Sequence, residues 1–377
     1  MQPFTLPAHE ALRVQARAFA DAHDGAATAD RAPALVRALG DASLLAVGLP
    51  STEAAATAAL ALVVLREELA RASALVDALF AVQALVALPI AAAGDPAMRA
   101  RWLPALASGA AVGAFALTEV EAGSDLGALS TTARRDGPGG GYRLDGEKCL
   151  ISNAGIASVY VVFARTGGPD DRRPLSAFVV PAEAPGLSTT PVALAVAHPI
   201  GNLRLEGVRL SESARLGAEG DGLRLALATL TLMRPTVGAA ACGLARRALD
   251  EACAFVRRRR TFGQALVERD SVQMALADMA TSLDAARLLV YRAAWLHDGG
   301  GAPGSDERFA AESSMAKLFA TEAAQQIVDR AVQLHGGRGV VQGVTVERLY
   351  REVRALRIYE GTSEIHKLII ARGLLGR

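Results

Sequence analysis

The stretch Ile358-Tyr359-Glu360-Gly361-Thr362-Ser363-Glu364-Ile365 says most about the fold and the chemistry of this 377-residue chain. It sets the Glu360 carboxylate behind an isoleucine and a tyrosine and follows it with a glycine and two hydroxyls. Loss of water raises the pKa of a carboxylate, and a raised pKa suits a general base that removes a proton from carbon. The same residues also fit the start of a helix with Thr362 or Ser363 as N-cap. Taken alone, the stretch leaves both interpretations open.

Two stretches further upstream favour a ligand-binding interpretation. In Ala116–Asp125, the small residues Ala122-Gly123-Ser124 would let backbone N–H groups approach a flat, acceptor-rich ligand, although an ordinary exit from a strand into a turn fits as well. The basic run Arg257–Arg260 precedes Thr261-Phe262-Gly263, and arginine pairs with phosphates through two hydrogen bonds. A nucleic-acid partner has weak support because the net charge of the chain is only +1.

The spacing of apolar residues divides the chain into three regions. Helical periods extend from residue 11 to about 109 and return from 223 to 372. Between about 113 and 222, short β-rich runs such as Val159–Ala164 and Ser176–Val180 alternate with turn residues, which predicts an antiparallel barrel or sandwich. The glycines 139–141 read most simply as a hairpin turn.

Composition excludes several classes of protein. Three unpaired cysteines and six scattered histidines argue against a disulfide framework and a metal site, and they fit a reducing, cytoplasmic setting. The apolar stretch 78–93 is short for a membrane span and contains Gln83 and Pro89, so we interpret it as a buried core helix. We therefore expect a soluble cytoplasmic protein.

Together, in this order and at these separations, the three stretches resemble the acyl-CoA dehydrogenase family of flavoproteins, from about Gly94 to the C-terminus. The resemblance implies a mainly α fold with a central β domain and a C-terminal four-helix bundle. We place a helical N-terminal domain at 1–112, the β domain at 113–222 and the bundle at 223–377. Periodicity supports this order but could not have produced the fold by itself.

The resemblance also implies FAD as cofactor and assigns residues to it. Leu150 and Ser152 stand where the family has Trp and Thr, so a hydroxyl beside flavin N5 is kept and an aromatic face is lost. Arg259 would grip the FAD pyrophosphate of a neighbouring subunit, with Phe262 packing beside the adenosine portion. The residues expected to bind FAD are Phe115, Leu117, Thr118, Gly123, Ser124, Leu150, Ser152, Arg259, Thr261, Phe262, Gln333, Gly336, Gly337, Thr362 and Glu364.

A second set of residues is expected at the substrate: Ser124, Thr231, Arg234, Tyr359 and Gly361. Thr231 replaces an aspartate that often touches the pantetheine of the acyl carrier, which leaves CoA and acyl carrier protein both open. Some relatives place their base near position 233, which is a methionine here, so the base falls on Glu360. Proline is favoured at the first position of a helix, and Met233-Arg234-Pro235 therefore predicts the opening of a long helix.

The implied reaction is α,β-dehydrogenation of an acyl thioester. Glu360 would remove the α-proton while the β-hydrogen leaves as hydride to flavin N5, giving a trans-2-enoyl thioester. The alternatives are a flavin oxidase or monooxygenase on the same fold, and a catalytically idle acyl-carrier-binding protein. Further implications are electrons passing to an electron-transferring flavoprotein and a homo-oligomer, expected to be a dimer of dimers (a homotetramer).

Overall fold

The computed structural model of the protein describes residues 4–23, 28–48, 58–137, 140–168, 171–300 and 305–376. They divide into two compact units. Unit 1 takes its described residues from 4–23, 58–77 and 231–376, and unit 2 takes them from 28–48 and 78–230. The three-domain limits expected from the sequence stay a prediction.

Helices make up most of the described chain. Their bounds are α1 Pro7–Ala22, α2 Ala32–Asp41, α3 Leu44–Gly48, α4 Ala59–Ala72, α5 Ala74–Ala93, α6 Pro96–Ala107, α7 Gly222–Arg258, α8 Asp270–Trp295, α9 Ser305–His335, α10 Thr345–Val353 and α11 Ser363–Leu375.

The strands lie between the helical regions, with a two-stranded hairpin further on. Their bounds are β1 Gly113–Ala116, β2 Thr132–Arg135, β3 Tyr142–Ser152, β4 Val159–Arg165, β5 Leu175–Pro181, β6 Leu187–Pro191, β7 Ile200–Leu210, β8 Arg215–Leu216, β9 Arg260–Thr261 and β10 Gln264–Ala265.

Strands β1 to β8 form one sheet in unit 2. Its order is β6-β7-β3-β2-β4-β5-β8, and β1 pairs with β4. Most pairs are antiparallel, as predicted, but β1 and β2 both run parallel to β4. The chain between β1 and β4 carries a complete hairpin, β2–β3, and it can therefore make the crossover that a parallel pair needs. Gly140 and Gly141 lie in this hairpin's connection, whereas Gly139 is outside the described residues.

Unit 1 is a helical body with an alanine-rich core. The buried residues of α4, α7, α8, α9 and α10 form one continuous cluster, with Tyr291 on α8 as its largest fully buried member. The first turn of α4 takes its cap from far along the chain, since Asp298 Oδ1 and Oδ2 accept from the N–H groups of Ala59 and Leu60 at 2.7 and 2.9 Å. The helix therefore depends on tertiary contacts for groups that a local N-cap normally satisfies.

The prediction that Met233–Pro235 opens a helix is wrong. Helix α7 begins at Gly222 and Pro235 lies inside it. An interior proline lacks the N–H that would bond to the carbonyl four residues earlier, which is that of Thr231. Ser313 on α9 supplies the missing donor, because its Oγ donates to the Thr231 carbonyl at 2.7 Å. The helix thus continues through the proline by exchanging one intrahelical hydrogen bond for one from another helix.

Helices α5 and α7 are long and apolar enough to cross a membrane by length and composition. Their most apolar windows are 78% and 72% buried inside the protein. Burial of this extent is typical of core helices, which pass the same test.

Candidate active site

The Glu360 carboxylate stands on a tight turn between a short 3₁₀ helix and α11. Glu360 has φ +55° and Gly361 has φ +103°. A left-handed backbone is unfavourable for glutamate, whereas glycine adopts it freely. Thr362 then caps α11, since its hydroxyl accepts from the N–H of Ile365 at 3.4 Å. The helix-start interpretation is therefore confirmed, and the role of Glu360 as a general base stays a prediction.

One oxygen of the carboxylate is buried and unpaired. Glu360 Oε2 has almost no accessible surface and no hydrogen-bond partner among the residues that the structure describes. Burial raises the pKa of Glu360, and Asp77 adds to the rise, while the cations Arg66, Lys317 and Arg234 oppose it. Such a carboxylate can take a proton from a substrate without first giving up a hydrogen bond to the protein.

The cation Arg66 is held in place by a two-pronged ion pair. Its Nε and Nη2 donate to the two oxygens of Asp77, each at 2.8 Å, and Nη1 donates to Thr236 Oγ1 at 2.8 Å. The guanidinium is fully buried. Burial acts to lower the pKa of Arg66, but Asp77, together with Tyr359 and Glu360, raises it above its usual value, so the group stays charged. Arg66 is not among the residues that the sequence singled out.

Two further cations contact the backbone of the Glu360 turn. Arg234, buried on α7, has Nε 3.4 Å from the Glu360 carbonyl oxygen. Lys317, fully buried on α9, donates from Nζ to the Gly361 carbonyl at 2.7 Å. The sequence analysis named Arg234 but missed Lys317. A lysine within the apolar run 315–320 was the available signal, because lysine is rarely buried without a partner.

The other residues expected at the substrate are spread over both units. Tyr359 is 39% exposed beside Glu360, and Thr231 is half-buried with its carbonyl bonded to Ser313. Ser124 belongs to unit 2 and is exposed. The structure thus places Tyr359, Gly361 and Arg234 together in unit 1, and the roles of all five residues stay predictions.

In unit 2, a buried ion pair fixes the loop that follows β1. Glu119 Oε1 accepts from Lys148 Nζ at 2.7 Å, and Oε2 accepts from the N–H and hydroxyl of Ser130 at 2.6 and 2.7 Å. Burial acts to raise the pKa of Glu119, but Lys148 and the hydroxyl donors lower it to about 2. The Cys149 N–H donates to the Thr118 carbonyl at 3.0 Å. The two sequence stretches expected at the flavin are therefore adjacent.

The surface around this contact fits a flat ligand. Leu150 is 54% exposed at φ +54°, a conformation that costs energy for a leucine and presents its side chain outward. A Cβ added at Gly123 would meet nothing within 4 Å, so the backbone there is open to approach. Ser152 Oγ lies 2.8 Å from His198 Nε2, a contact that the sequence analysis did not foresee. Phe115 and Leu117 lie on and just after β1.

In unit 1, a hairpin presents the arginine-containing motif. Strands β9 and β10 are joined by Phe262 and Gly263 at φ +51° and +81°, the signs of a type I′ turn. Phe262 is 96% exposed, and the Arg269 guanidinium lies 5.5 Å from its ring centre. Arg259, just before the hairpin, is exposed as well. The exposed side chains of Arg259 and Phe262 thus flank the first strand of the hairpin, and an exposed arginine can pair with a phosphate.

The end of α9 lies beside the end of α7. His335 stacks on Phe255 with ring centres 4.2 Å apart, and the backbone of Gly336 turns at φ +57°. Gln333 is exposed, and a Cβ added at Gly336 or Gly337 would meet nothing within 4 Å. The residues expected to contact FAD in unit 1 are therefore accessible. Glu364 is exposed on the first turn of α11, where backbone N–H groups lower its pKa.

Comparison with known proteins gives the family. Models of the acyl-CoA dehydrogenase N-terminal, middle and C-terminal domains match residues 7–110, 114–208 and 220–375. An acyl-CoA dehydrogenase of Bacillus subtilis is 38% identical over 91% of this chain and 89% of its own. The mitochondrial short-chain specific acyl-CoA dehydrogenase of Mus musculus is 38% identical over 97% of this chain and 90% of its own.

Solved structures agree with this result. Butyryl-CoA dehydrogenase of Megasphaera elsdenii superposes with a TM-score of 0.90 at 28% identity, over 98% of this chain and 99% of its own. A chain from a structural study of the electron transferring flavoprotein of Acidaminococcus fermentans gives a TM-score of 0.92 at 29% identity, over the whole of both chains. This chain therefore belongs to the acyl-CoA dehydrogenase family of FAD-dependent oxidoreductases that act on CH–CH bonds.

Proposed function

We propose that the protein converts an acyl-CoA to its trans-2-enoyl-CoA, with Glu360 as the base that removes the α-proton. The observation that carries this proposal is the buried, unpaired Oε2 of Glu360 in a pocket of cations. A general base needs a raised pKa and an oxygen that is available to the substrate, and Glu360 has both.

The cations around Glu360 would stabilise the charge of the transition state. As the α-proton moves to the carboxylate, negative charge develops on the thioester oxygen. Arg66, Arg234 and Lys317 are fixed nearby and need no reorganisation to stabilise that charge. The Glu360 N–H, held by its left-handed turn, would donate to the same oxygen. Burial of the carboxylate keeps water from competing for the proton.

FAD, when bound, supplies the redox chemistry by accepting hydride from the β-carbon. In unit 2, Thr118, Gly123, Ser124 and Ser152 would hold it through hydroxyl groups and open backbone. In unit 1, Arg259, Phe262, Gln333 and the Gly336-Gly337 backbone would hold its pyrophosphate and adenosine parts, as expected for a neighbouring subunit's cofactor. Because the unit 1 residues would hold the FAD of a neighbouring subunit, the complete site requires at least a dimer. We propose a dimer of dimers.

For the substrate, we propose a CoA thioester with a short acyl chain. The support is likeness to the mouse short-chain enzyme and to butyryl-CoA dehydrogenase. An acyl carrier protein thioester is the alternative, since Thr231 replaces the usual aspartate. Likeness to the chain from the Acidaminococcus study supports an electron-transferring flavoprotein as electron acceptor.

The deciding experiment is an anaerobic titration of the purified yellow protein with butyryl-, octanoyl- and palmitoyl-CoA while flavin absorbance is followed. Bleaching by butyryl-CoA at the lowest concentration is expected. A bound flavin that none of the three reduces would overturn the proposal, and reduction by an acyl carrier protein thioester alone would assign the alternative carrier.

A further inference from the structure

We propose that Lys317 is a positioning residue for the base: it holds the Gly361 carbonyl and so fixes the turn that carries Glu360. The inference rests on the proposed function of Glu360. Lys317 touches the backbone after the base, and its effect on the reaction is exerted through Glu360.

The geometry of the turn requires a restraint. A glutamate at φ +55° is strained by about 1 kcal/mol or more, and such a conformation persists only where its surroundings hold it. Two consecutive carbonyls are held here. Arg234 on α7 reaches the Glu360 carbonyl at 3.4 Å, and Lys317 on α9 reaches the Gly361 carbonyl at 2.7 Å. The shorter contact is the one made by Lys317.

The ring of His366 lies next to Gly361 of the same turn. A Cβ added at Gly361 would lie 3.1 Å from His366 Nε2, so the turn is closely packed on that side. Together with the Lys317 ammonium, this packing leaves the Gly361 carbonyl little freedom to rotate. Loss of the ammonium would release that carbonyl and, with it, the adjacent Glu360.

Lys317 also acts on Glu360 through its charge. Burial, with Arg234, lowers the pKa of Lys317 to about 8, while Glu360 opposes the change. Below that pH the ammonium is charged, and it lowers the raised pKa of Glu360. The other charged or titratable groups that act on this pair are Arg66, Asp77, Arg234, Glu322, Tyr359, Glu364 and His366.

The test is stopped-flow reduction of the FAD-loaded protein by butyryl-CoA between pH 5.5 and 8, for the wild type, Lys317→Met and Lys317→Arg. Lys317→Met is expected to slow flavin reduction about 100-fold, the usual effect of a small displacement of a catalytic group. The pH at which the reduction rate falls on the acid side should rise by roughly one unit, because Glu360 loses a neighbouring positive charge that lowers its pKa. Lys317→Arg should restore the position of the acid limb but only part of the rate.

The matched control is Ser314→Ala, on the same helix, whose buried hydroxyl has no hydrogen bond within the described residues. It should leave both rate and pH profile unchanged. An equal loss in Ser314→Ala, or a wild-type profile in Lys317→Met, would overturn the proposal.

A crystal structure of Lys317→Met provides a readout that does not depend on the substrate. The proposal expects Glu360 and the Gly361 carbonyl to leave their present conformation, and an unchanged turn would overturn it. If the wild type is not reduced by any acyl thioester, the proposed function fails. The structures of the wild type and Lys317→Met would still test whether Lys317 fixes the turn.

Discussion

In unit 1, the surroundings of the Glu68 carboxylate and of the Glu360 carboxylate have opposite effects. Glu67 and Glu68 on α4 are fully buried, and every oxygen of Glu68 lies within 3.2 Å of an arginine nitrogen from Arg13, Arg17 or Arg246. At Glu360, Oε2 has no hydrogen bond within the described chain. Burial acts to raise the pKa at both places, but the arginines lower that of Glu68 to about 2, whereas that of Glu360 is raised.

The difference teaches that hydrogen bonds, more than nearby charge, separate a carboxylate that stabilises the fold from one whose oxygen is free to accept a proton. Glu360 has three cations near it, yet their hydrogen bonds go to Asp77, Thr236 and backbone carbonyls. Charge at a distance keeps the carboxylate ionisable without occupying its oxygen. Direct donors, as at Glu68, remove the capacity to accept a proton near neutral pH.

The largest expected effect comes from removing the carboxylate that we propose as the base. Glu360→Gln keeps the shape of the side chain but cannot take a proton, and turnover should fall by roughly 10³-fold or more. Because FAD contacts are assigned to other residues, the purified variant should remain yellow. Steady-state rates with butyryl-CoA and the flavin-to-protein ratio measure both points. Near-normal turnover would contradict the assignment of the base.

Removing the structural carboxylate should instead cost stability. Glu68→Gln leaves Arg13, Arg17 and Arg246 without their shared partner, and loss of one partner from a buried ion pair costs about 3–5 kcal/mol of unfolding free energy. Chemical denaturation of the holoenzyme measures this.

Glu251→Gln is the matched control for that loss, because Glu251 is paired with Arg247 at 2.9 Å nearer the surface. It should cost less than about 1 kcal/mol. Equal losses of unfolding free energy in Glu68→Gln and Glu251→Gln would show that the buried ion pairs stabilise the protein no more than the ion pair nearer the surface.

The two carboxylates should also give stability opposite dependences on pH. The folded pKa of Glu68 lies below its unfolded value, so its contribution is complete above about pH 4.5 and is lost as pH falls toward 2. That contribution is of the order of 3 kcal/mol. The folded pKa of Glu360 lies above its unfolded value, so its contribution is present at low pH and is lost as pH rises through the folded pKa.

Denaturation between pH 3 and 7 checks these signs. The difference between wild type and Glu68→Gln should grow with pH, and that between wild type and Glu360→Gln should shrink. If both differences in unfolding free energy stayed constant with pH, the contrast between the two environments would be contradicted.

The smallest effect should come from leaving one buried backbone carbonyl without a hydrogen-bond donor. Ser313→Ala removes the donor to the Thr231 carbonyl that Pro235 leaves open, and an unpaired buried acceptor costs about 1–3 kcal/mol. In a Pro235→Ala background, the restored N–H can bond to that carbonyl, so Ser313→Ala should cost less there. Additive losses in the double variant would show that the serine and the proline do not compensate each other.

Sequence alone predicted the parts that local motifs encode. It predicted the cap at Thr362 from neighbouring residues and, through the family resemblance, the mainly helical fold with a central β domain, while the role of Glu360 stays a prediction. It missed Lys317: the lysine within the apolar run 315–320 signals burial, but its contact with the Gly361 carbonyl joins residues 44 positions apart. It misplaced the start of α7 because a local rule for Pro235 was overridden by a hydroxyl on another helix.

The cap on α4 has a consequence for synthesis of the chain. Asp298 lies 239 residues after Ala59, and Arg246 lies 178 residues after Glu68. At about 5–20 residues per second, a ribosome needs roughly 10–50 s to deliver these partners after α4 has emerged. During that delay we expect Glu67 and Glu68 to remain hydrated and charged, which keeps an otherwise apolar segment dissolved. We therefore expect the glutamates that stabilise the finished protein to lower the tendency of the nascent chain to aggregate as well.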